Sequence, residues 1–503
     1  MSIMSNKGFI LAIDQGTTGS TALLFNEDGQ EVSRAYREIR QIYPEPGWVE
    51  HNPREIFLSC IAVAEEAVQN ADVPFSMVRG LGITNQRETT VVWERSNGQP
   101  VYNAVVWQCR RTAELCDGLK QKNMESAVRQ KTGLPIDAYF SATKIRWILD
   151  NIPDGQRRAE QGELLFGTID SWLVWNLTGG KAHITDYSNA SRTMLFNINT
   201  LQWDQDLLGS LDIPEAMLPQ VLPSSQVYGE TSDGLFNDSH IPVASIAGDQ
   251  QAALFGQACY RTGMAKNTYG TGSFILVNTG NKPIPSNKGL VTTLAWGLDD
   301  RVVYAMEGSI FITGAAVQWL RDGLGLIATA AESEALAATV PDNGGVYFVP
   351  AFVGLGTPYW DMYARGTIVG LTRDSSRGHL ARATLEAIAF QTRDVVDTIS
   401  AEAELQIPVL RVDGGGSVNS LLMQFQANIL GIPIQRAHIV ETTALGVAYL
   451  AGLAVGLWRD TTEVERYWKG TAVYEPKMSD DERETLYANW RHAVERARGW
   501  IRS

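Results

Sequence analysis

The hydrophobic pattern of this chain uses one arrangement three times: an apolar run, an aspartate, then glycine or a small polar turn. Phe9 to Ser20 reads FILAIDQGTTGS and is followed by a second apolar run, TALLF, and the turn NEDG. That spacing predicts a β-hairpin with Asp14 at the mouth of a tight Gly-Thr-Thr turn. Ile241 to Gln251, IPVASIAGDQQ, leads into the helical pattern AALFGQA, and Val409 to Val418, VLRVDGGGSV, leads into NSLLMQFQANIL. Asn267 to Val277, NTYGTGSFILV, again sets a Gly-Thr-Gly turn against an apolar strand, so the first hairpin has a counterpart about half a chain away. Strands alternating with helical runs predict α/β domains. In such sheets ligands collect at the carboxyl ends of the strands, where these aspartates fall.

The stretch Arg79 to Trp93, RGLGITNQRETTVVW, breaks the pattern. Asn, Gln, Arg and Glu stand side by side between two runs that read as buried strands, with none of the Gly or Asn-Gly signals of a hairpin tip. Asn97-Gly98 supplies such a signal only later, predicting a hairpin between VVWE and PVYNAVVW. A solvated loop and a buried polar block are both open readings of ITNQRETT.

Length and composition narrow the class. At 503 residues the chain predicts at least two domains. The boundary is expected shortly after Gly248-Asp249-Gln250, giving domains over 1–252 and 253–503. A formal net charge of −14 opposes non-specific binding to nucleic acid or an anionic membrane. Four scattered cysteines form no CxxC pair, which suits a reducing cytosol, and six histidines lack metal-ligand spacing. MSIMSNKGF has no apolar core of signal-peptide length. The apolar run from Leu445 to Trp458 spans 14 residues, too short to cross a membrane, and reads as a packed helix. The expectation is a cytoplasmic protein without integral membrane association.

Gly-Thr-Thr and Gly-Thr-Gly turns offer backbone N–H groups and hydroxyls to phosphate oxygens without bulky side chains in the way. The Asp413-Gly414-Gly415-Gly416 turn precedes a helix whose N-terminus favours anions. No P-loop pattern is present, and GGGSVN is not a dinucleotide fingerprint. Asp14, beside the first turn, is placed to hold Mg²⁺ near phosphates. Asp249 is placed to accept a proton from an attacking hydroxyl. Each aspartate reads equally as a helix cap.

Taken together, DQGTT, YPEPGWVEH, GITNQRETT, VVWQCRRTAE, TDYSNASRTMLFN, IAGDQQAALFG, AKNTYGTGSF, GTPYWDMYARG and RVDGGG resemble the FGGY carbohydrate kinases nearly end to end. FSATKIRWILDN and GTIVGLTRDSSRGHLARATLE resemble signatures general to that family, while ITNQRETT and WQCRRTAE resemble its glycerol-specific members. The resemblance implies an α/β fold of two ribonuclease H-like domains, of the actin/Hsp70 ATPase type, around a central cleft. It implies ATP and Mg²⁺ as cofactors, glycerol as substrate, sn-glycerol 3-phosphate as product, and a homodimer or homotetramer.

It also implies roles for single residues. Arg87, Glu88, Tyr139, Asp249 and Gln250 would bind the hydroxyls of glycerol, and Trp107 and Phe274 would pack on its carbon face. Asp249 would be the general base and Asp14 would serve Mg²⁺. Thr17, Thr18, Gly19 and Thr271 would face the phosphates, with Gly314, Gln318, Gly415 and Asn419 around the rest of the nucleotide. Three hydroxyls carry all the information in glycerol, so a carboxylate and a guanidinium at fixed angles are the natural readers.

Two departures stand out. Thr21 occupies the place where the family's first hairpin often has arginine, which puts one phosphate contact in doubt. Some bacterial members bind fructose bisphosphate as an inhibitor through a loop with glycine and arginine. The corresponding residues here, Gly234 to His240, read GLFNDSH and have no arginine, so weak or absent inhibition is expected. Two other functions compete: an FGGY kinase for another polyol or a ketopentose, and an actin- or Hsp70-like nucleotide-driven assembly protein.

Overall fold

The computed structural model describes residues 8–439 and 441–501, so most of the N-terminal stretch read for a signal peptide (residues 1–7) lies outside the described residues. The predicted first hairpin is β1 (Phe9–Gln15) and β2 (Gly19–Phe25), extended by β3 (Glu31–Glu38). Helix α1 (Pro53–Asn70) follows. Asn52 accepts from the N–H groups of Arg54 and Glu55, Pro53 fills the first turn, and Ile56, Cys60, Val63, Ala64 and Ala67 make its buried stripe.

Strands β4 (Val78–Asn85), β5 (Ser225–Glu230) and β6 (Pro242–Gly248) complete the first half, with β4 parallel to both β1 and β6, and β5 antiparallel to β6. Inserted between β4 and β5 is a long excursion that includes α2 (Ser141–Asp150). The second half opens on α3 (Asp249–Gly256) and the other predicted hairpin, β7 (Ala265–Tyr269) with β8 (Ser273–Gly280). Strands β9 (Val291–Leu298) and β10 (Arg301–Ile310) then lead to α4 (Gly314–Asp322) and the long α5 (Arg377–Ala403). Last come β11 (Leu410–Asp413), α6 (Ser420–Leu430), β12 (Ile434–Ala437), α7 (Thr442–Ala454) and β13 (Gly470–Tyr474).

These thirteen strands form one sheet, in the order β13-β12-β11-β7-β8-β10-β9-β5-β6-β4-β1-β2-β3. The halves repeat one topology. An antiparallel hairpin pairs in parallel with β4 in one half and β11 in the other, then a second parallel strand and an antiparallel strand follow. This is the ribonuclease H-like plan of the actin- and Hsp70-type ATPases, present twice. Its consequence for function is positional: β1, β4, β6, β7 and β11 all end on the residues singled out in the sequence.

Helices α3 and α7 cross where glycine permits contact between backbones. A Cβ on Gly446 would lie 1.9 Å from the carbonyl oxygen of Ala252, and one on Gly256 would lie 2.1 Å from that of Thr442. Helix α7 is the apolar run of the C-terminal region, buried almost throughout its length. Among the described residues no helix is long and apolar enough to cross a membrane.

The turn at Asn97-Gly98 closes as expected: Gly98 N donates to Glu94 O at 2.9 Å, Glu94 N to Gln99 O at 2.9 Å and Val101 N to Val92 O at 3.0 Å, with antiparallel bridges from Trp93 to Pro100 and from Thr90 to Val105. The regular partner of Val91–Glu94 is Leu164–Gly167, and Ala104–Val105 pairs with Glu50–His51. Each arm also pairs with a strand far away in sequence.

Candidate active site

The ITNQRETT stretch is not a solvated loop, since every residue from Asn85 to Thr90 is buried. Most of its polar side chains are hydrogen-bonded, locally or to distant partners, while Thr84 Oγ1 is buried without a partner among the described residues. Asn85 donates to Asn189 Oδ1 at 3.0 Å, Gln86 to Gln15 Oε1 at 2.9 Å, and Thr89 to Gln86 Oε1 at 3.0 Å. Glu88 sits at φ 62°, at the centre of a tight turn in which the Thr89 N–H donates to the Arg87 carbonyl at 2.7 Å.

Arg87 is the hub. Its Nη1 donates to Glu307 Oε2 at 2.5 Å and to Gln251 Oε1 at 3.1 Å, and its Nη2 to Glu307 Oε1 at 3.2 Å. Its Nε lies 3.1 Å from Asp249 Oδ1 and 3.9 Å from Glu88 Oε1. Arg192 closes the ring, with Nε donating to Glu88 Oε1 at 2.6 Å and Nη2 to Glu307 Oε1 at 3.1 Å. Two guanidiniums and two carboxylates thus alternate in a buried square, the arrangement that makes buried charge tolerable. Burial pulls the Glu307 carboxyl up, but Arg192 and Arg87 outweigh it and hold it down at about 2. Burial pushes Glu88 upwards against the same two arginines.

Room for this hub is made by Gly248 at the end of β6. A Cβ there would lie 2.8 Å from Cγ and Cδ of Arg87. Asp249 follows as the first residue of α3, so it does not occupy the N-cap position; its Oδ1 accepts from the Gln250 N–H at 2.7 Å. The Asp249 side chain is 32% exposed against 2% for Arg87, so this carboxylate opens onto the cleft. Among the described residues, Asp249 Oδ2, Glu88 Oε2 and the Tyr139 hydroxyl hold no hydrogen bond, which leaves acceptors and a donor for a polyol.

Two of the predicted aromatic residues, Trp107 and Tyr139, gather beside it. Trp107 and Tyr139 meet edge to face at 5.6 Å, both half-buried, and the Arg192 guanidinium lies 5.7 Å from the Tyr139 ring. Trp107 Nε1 donates to Thr17 Oγ1 at 2.9 Å, which joins this aromatic pair to the first hairpin. Phe274, half-buried on β8, stands opposite Thr268 and Ser309 in the sheet register.

The nucleotide candidates lie on the facing elements. Thr18 and Thr271 are exposed at their hairpin turns, while Gly19 is buried at the start of β2. Thr271 is tied to α4: its carbonyl accepts from Thr313 N at 3.0 Å and Ala315 N at 3.1 Å, beside the bond from Gly314 N to Gly270 O. Gln318 is exposed one turn further along α4. Gly415 borders open space, and Asn419 caps α6 by accepting from Leu422 N. Thr21 is the register partner of Asp14, so no cation stands at that place in the hairpin.

Asp14 forms no ion pair among the described residues. It is half-buried at the end of β1, and among the described residues its carboxylate accepts no hydrogen bond. Burial, then the charges of Asp249 and Glu441, push it up to about 8. An oxygen donor so short of positive charge fits a hard divalent cation. Among the described residues no group of three or more His, Cys, Asp and Glu side chains could hold a metal ion, so such a cation would take most of its ligands from phosphates and water.

Sequence reasoning missed Arg192, Glu307, Gln251 and Lys266. Lys266 is buried on β7, donating to Gln250 Oε1 at 2.5 Å and Thr268 Oγ1 at 2.9 Å, and burial lowers it to about 8. A signal was present: Lys266 and Glu307 are lone charges inside runs that read as buried strands, and a buried charge requires a partner.

Two glycine-hydroxyl hairpins that face a buried polar ring holding a cleft-side carboxylate define a phosphoryl-transfer enzyme of the actin-type ATPase fold. Residues 9–256 match the N-terminal domain of the FGGY family of carbohydrate kinases, and residues 265–455 match its C-terminal domain. The chain is 60% identical to glycerol kinase 2 of Thermotoga maritima over 492 residues, 98% of this chain and 99% of that protein. Identity to the glycerol kinase of Symbiobacterium thermophilum is 60% over 495 residues, with the same coverage. The crystal structure of Plasmodium falciparum glycerol kinase with ADP superimposes with a TM-score of 0.93 at 37% identity, covering 99% of each chain. The chain belongs to the FGGY family of carbohydrate kinases, and as a kinase it takes its phosphoryl group from ATP.

Proposed function

We propose that this chain transfers the γ-phosphoryl group of ATP to a terminal hydroxyl of glycerol, giving sn-glycerol 3-phosphate and ADP. The observation that carries the reading is the contact of Arg87 with Asp249 inside a buried ring of charges, a site that reads hydroxyls and little else. The 60% identity to glycerol kinases adds to it.

In this reading Arg87 donates to one hydroxyl of the polyol and Glu88 Oε2 accepts from another. Tyr139 and Gln250 complete the polar set, and Trp107 and Phe274 cover the carbon face. An analogue that lacks one hydroxyl leaves a buried group unpaired, at about 1–3 kcal/mol each. Asp249 Oδ2 takes the proton of the attacking hydroxyl as its oxygen bonds to phosphorus. The bond from that phosphorus to the bridging oxygen breaks, and ADP leaves. Thr17, Thr18, Gly19 and Thr271 present N–H and hydroxyl donors to the phosphates, and Gly314, Gln318, Gly415 and Asn419 flank the rest of the nucleotide.

Asp14 is the residue that would hold Mg²⁺, which supplies charge neutralisation at the phosphates. The two halves, 1–252 and 253–503, would close around both substrates and exclude water. The reading includes a cytoplasmic enzyme, in keeping with four buried free thiols, and a homodimer or homotetramer on the analogy of the family. Phosphorus NMR of the product formed from Mg-ATP with glycerol, other polyols and ketopentoses tests the substrate. A single sn-glycerol 3-phosphate resonance, absent without glycerol, is expected; faster turnover of a ketopentose would refute the assignment.

A further inference from the structure

Glu307 has no place in the reaction described above, yet it makes the closest contact to the arginine on which that reaction depends. It lies on β10, in the second half, whereas Arg87 and Arg192 both belong to the first. Strand β10 runs on into Thr313 and Gly314 at the start of α4, and its neighbour β8 begins at the Thr271 turn, with Glu307 opposite Leu276. One end of β10 therefore borders the nucleotide elements, while its middle grips the polyol elements.

We infer that Glu307 is a positioning residue, supplied by the nucleotide-bearing half, that sets the orientation of the polyol-binding arginine; this rests on the polyol-kinase reading. Both carboxylate oxygens engage Arg87, Oε2 from Nη1 and Oε1 from Nη2, which fixes the plane of the guanidinium as a single contact could not. That plane aims Nε at Asp249 and leaves one Nη2 hydrogen for a hydroxyl. Glu307 Oε1 also accepts from Arg192 Nη2, and Arg192 in turn holds Glu88 through Nε. The donor and the acceptor that read the polyol are thus aligned by one carboxylate from across the molecule. Without that carboxylate, Arg87 is drawn to Asp249 and Glu88, the anions that remain beside it.

A purely structural role makes a different forecast. Loss of a buried carboxylate that balances two guanidiniums lowers the folded fraction, and with it the amount of active enzyme, but leaves the Michaelis constants of the surviving molecules unchanged.

The experiment is steady-state kinetics of the full chain and of Glu307→Gln and Glu307→Asp, varying glycerol and Mg-ATP separately, with thermal unfolding of each protein. For Glu307→Gln a glycerol KM raised roughly tenfold or more is expected, with the Mg-ATP KM held within about twofold. Glu307→Asp keeps the charge but is too short to span both guanidiniums, so it should fall between the two. It also carries the test if the glutamine variant does not fold. Glycerol KM within about twofold of the unaltered chain in a folded variant, or an equal rise for both substrates, would overturn the inference. Absence of glycerol-dependent turnover in the unaltered chain is a separate result, and overturns the substrate reading itself.

Discussion

The Nε of Arg87 lies 3.1 Å from Oδ1 of Asp249, and that contact orders the chemistry of the cleft. It holds one carboxylate oxygen while the other faces the cleft. In the proposed reaction it also gives a shared orientation to the group that would bind a hydroxyl and the group that would deprotonate one. Lysine at position 87 would keep the charge but lose the planar fork that meets Glu307, Gln251 and Asp249 together. Arg87→Lys is therefore expected to lower kcat/KM for glycerol about a hundredfold or more, read by initial rates at varied glycerol. Retention of near-normal efficiency would mean that the fork is not used.

Gly248 owes its identity to the same arginine. Adding a Cβ 2.8 Å from Cγ and Cδ of Arg87 displaces a side chain whose head is pinned at several points. Gly248→Ala is expected to cost about 1–3 kcal/mol of stability and to raise the glycerol KM several-fold. Thermal unfolding and kinetics on one preparation check both effects.

How legible this site was depends on the range of its interactions. Both hairpins and the strand ends at Asp14, Asp249 and Asp413 were readable because apolar run, carboxylate and glycine turn lie within a dozen residues. The burial of Asn85 to Thr90 was not readable, because the partners that permit it stand 71 residues away at Gln15 and 220 residues away at Glu307. Roles for Tyr139, Trp107 and Phe274 came only through family resemblance, since a half-buried aromatic residue has no local signature that separates a pocket wall from core.

Asp14 gives the cleft a pH dependence of defined sign. Its folded pKa of about 8 lies above the ordinary carboxylate value near 4, so between those values the folded protein without nucleotide holds the extra proton. Stability carried by that proton is present below about pH 4 and is lost as pH rises through 8. Asp14→Asn, which cannot ionise, should lack this loss, so its melting temperature should gain on that of the unaltered chain between pH 5 and pH 8.5 in metal-free buffer, roughly the window set by the two pKa values. The same variant should lose most activity. Parallel melting curves across that range would contradict the assignment.

The loop from Gly234 to His240 carries a forecast about regulation. Phe236 is buried against Phe75 at 5.4 Å, and Asp238 accepts from the Gly234 N–H at 2.7 Å. Aspartates at 233 and 238 and the absence of arginine make it a poor host for a bisphosphate. Millimolar fructose 1,6-bisphosphate is expected to leave the glycerol-dependent rate unchanged at constant free Mg²⁺. A saturable fall in rate would place an inhibitory site elsewhere or overturn this view of the loop.

In the proposed reaction Asp249 is the base for a glycerol-dependent phosphoryl transfer, and the decisive experiment is ADP release from Mg-ATP with and without glycerol. The unaltered chain should release ADP rapidly only when glycerol is present. Asp249→Asn should bind glycerol and fold normally, yet turn over about a thousandfold more slowly or worse. ADP release indifferent to glycerol, or an Asp249→Asn variant that retains its rate, would contradict the account.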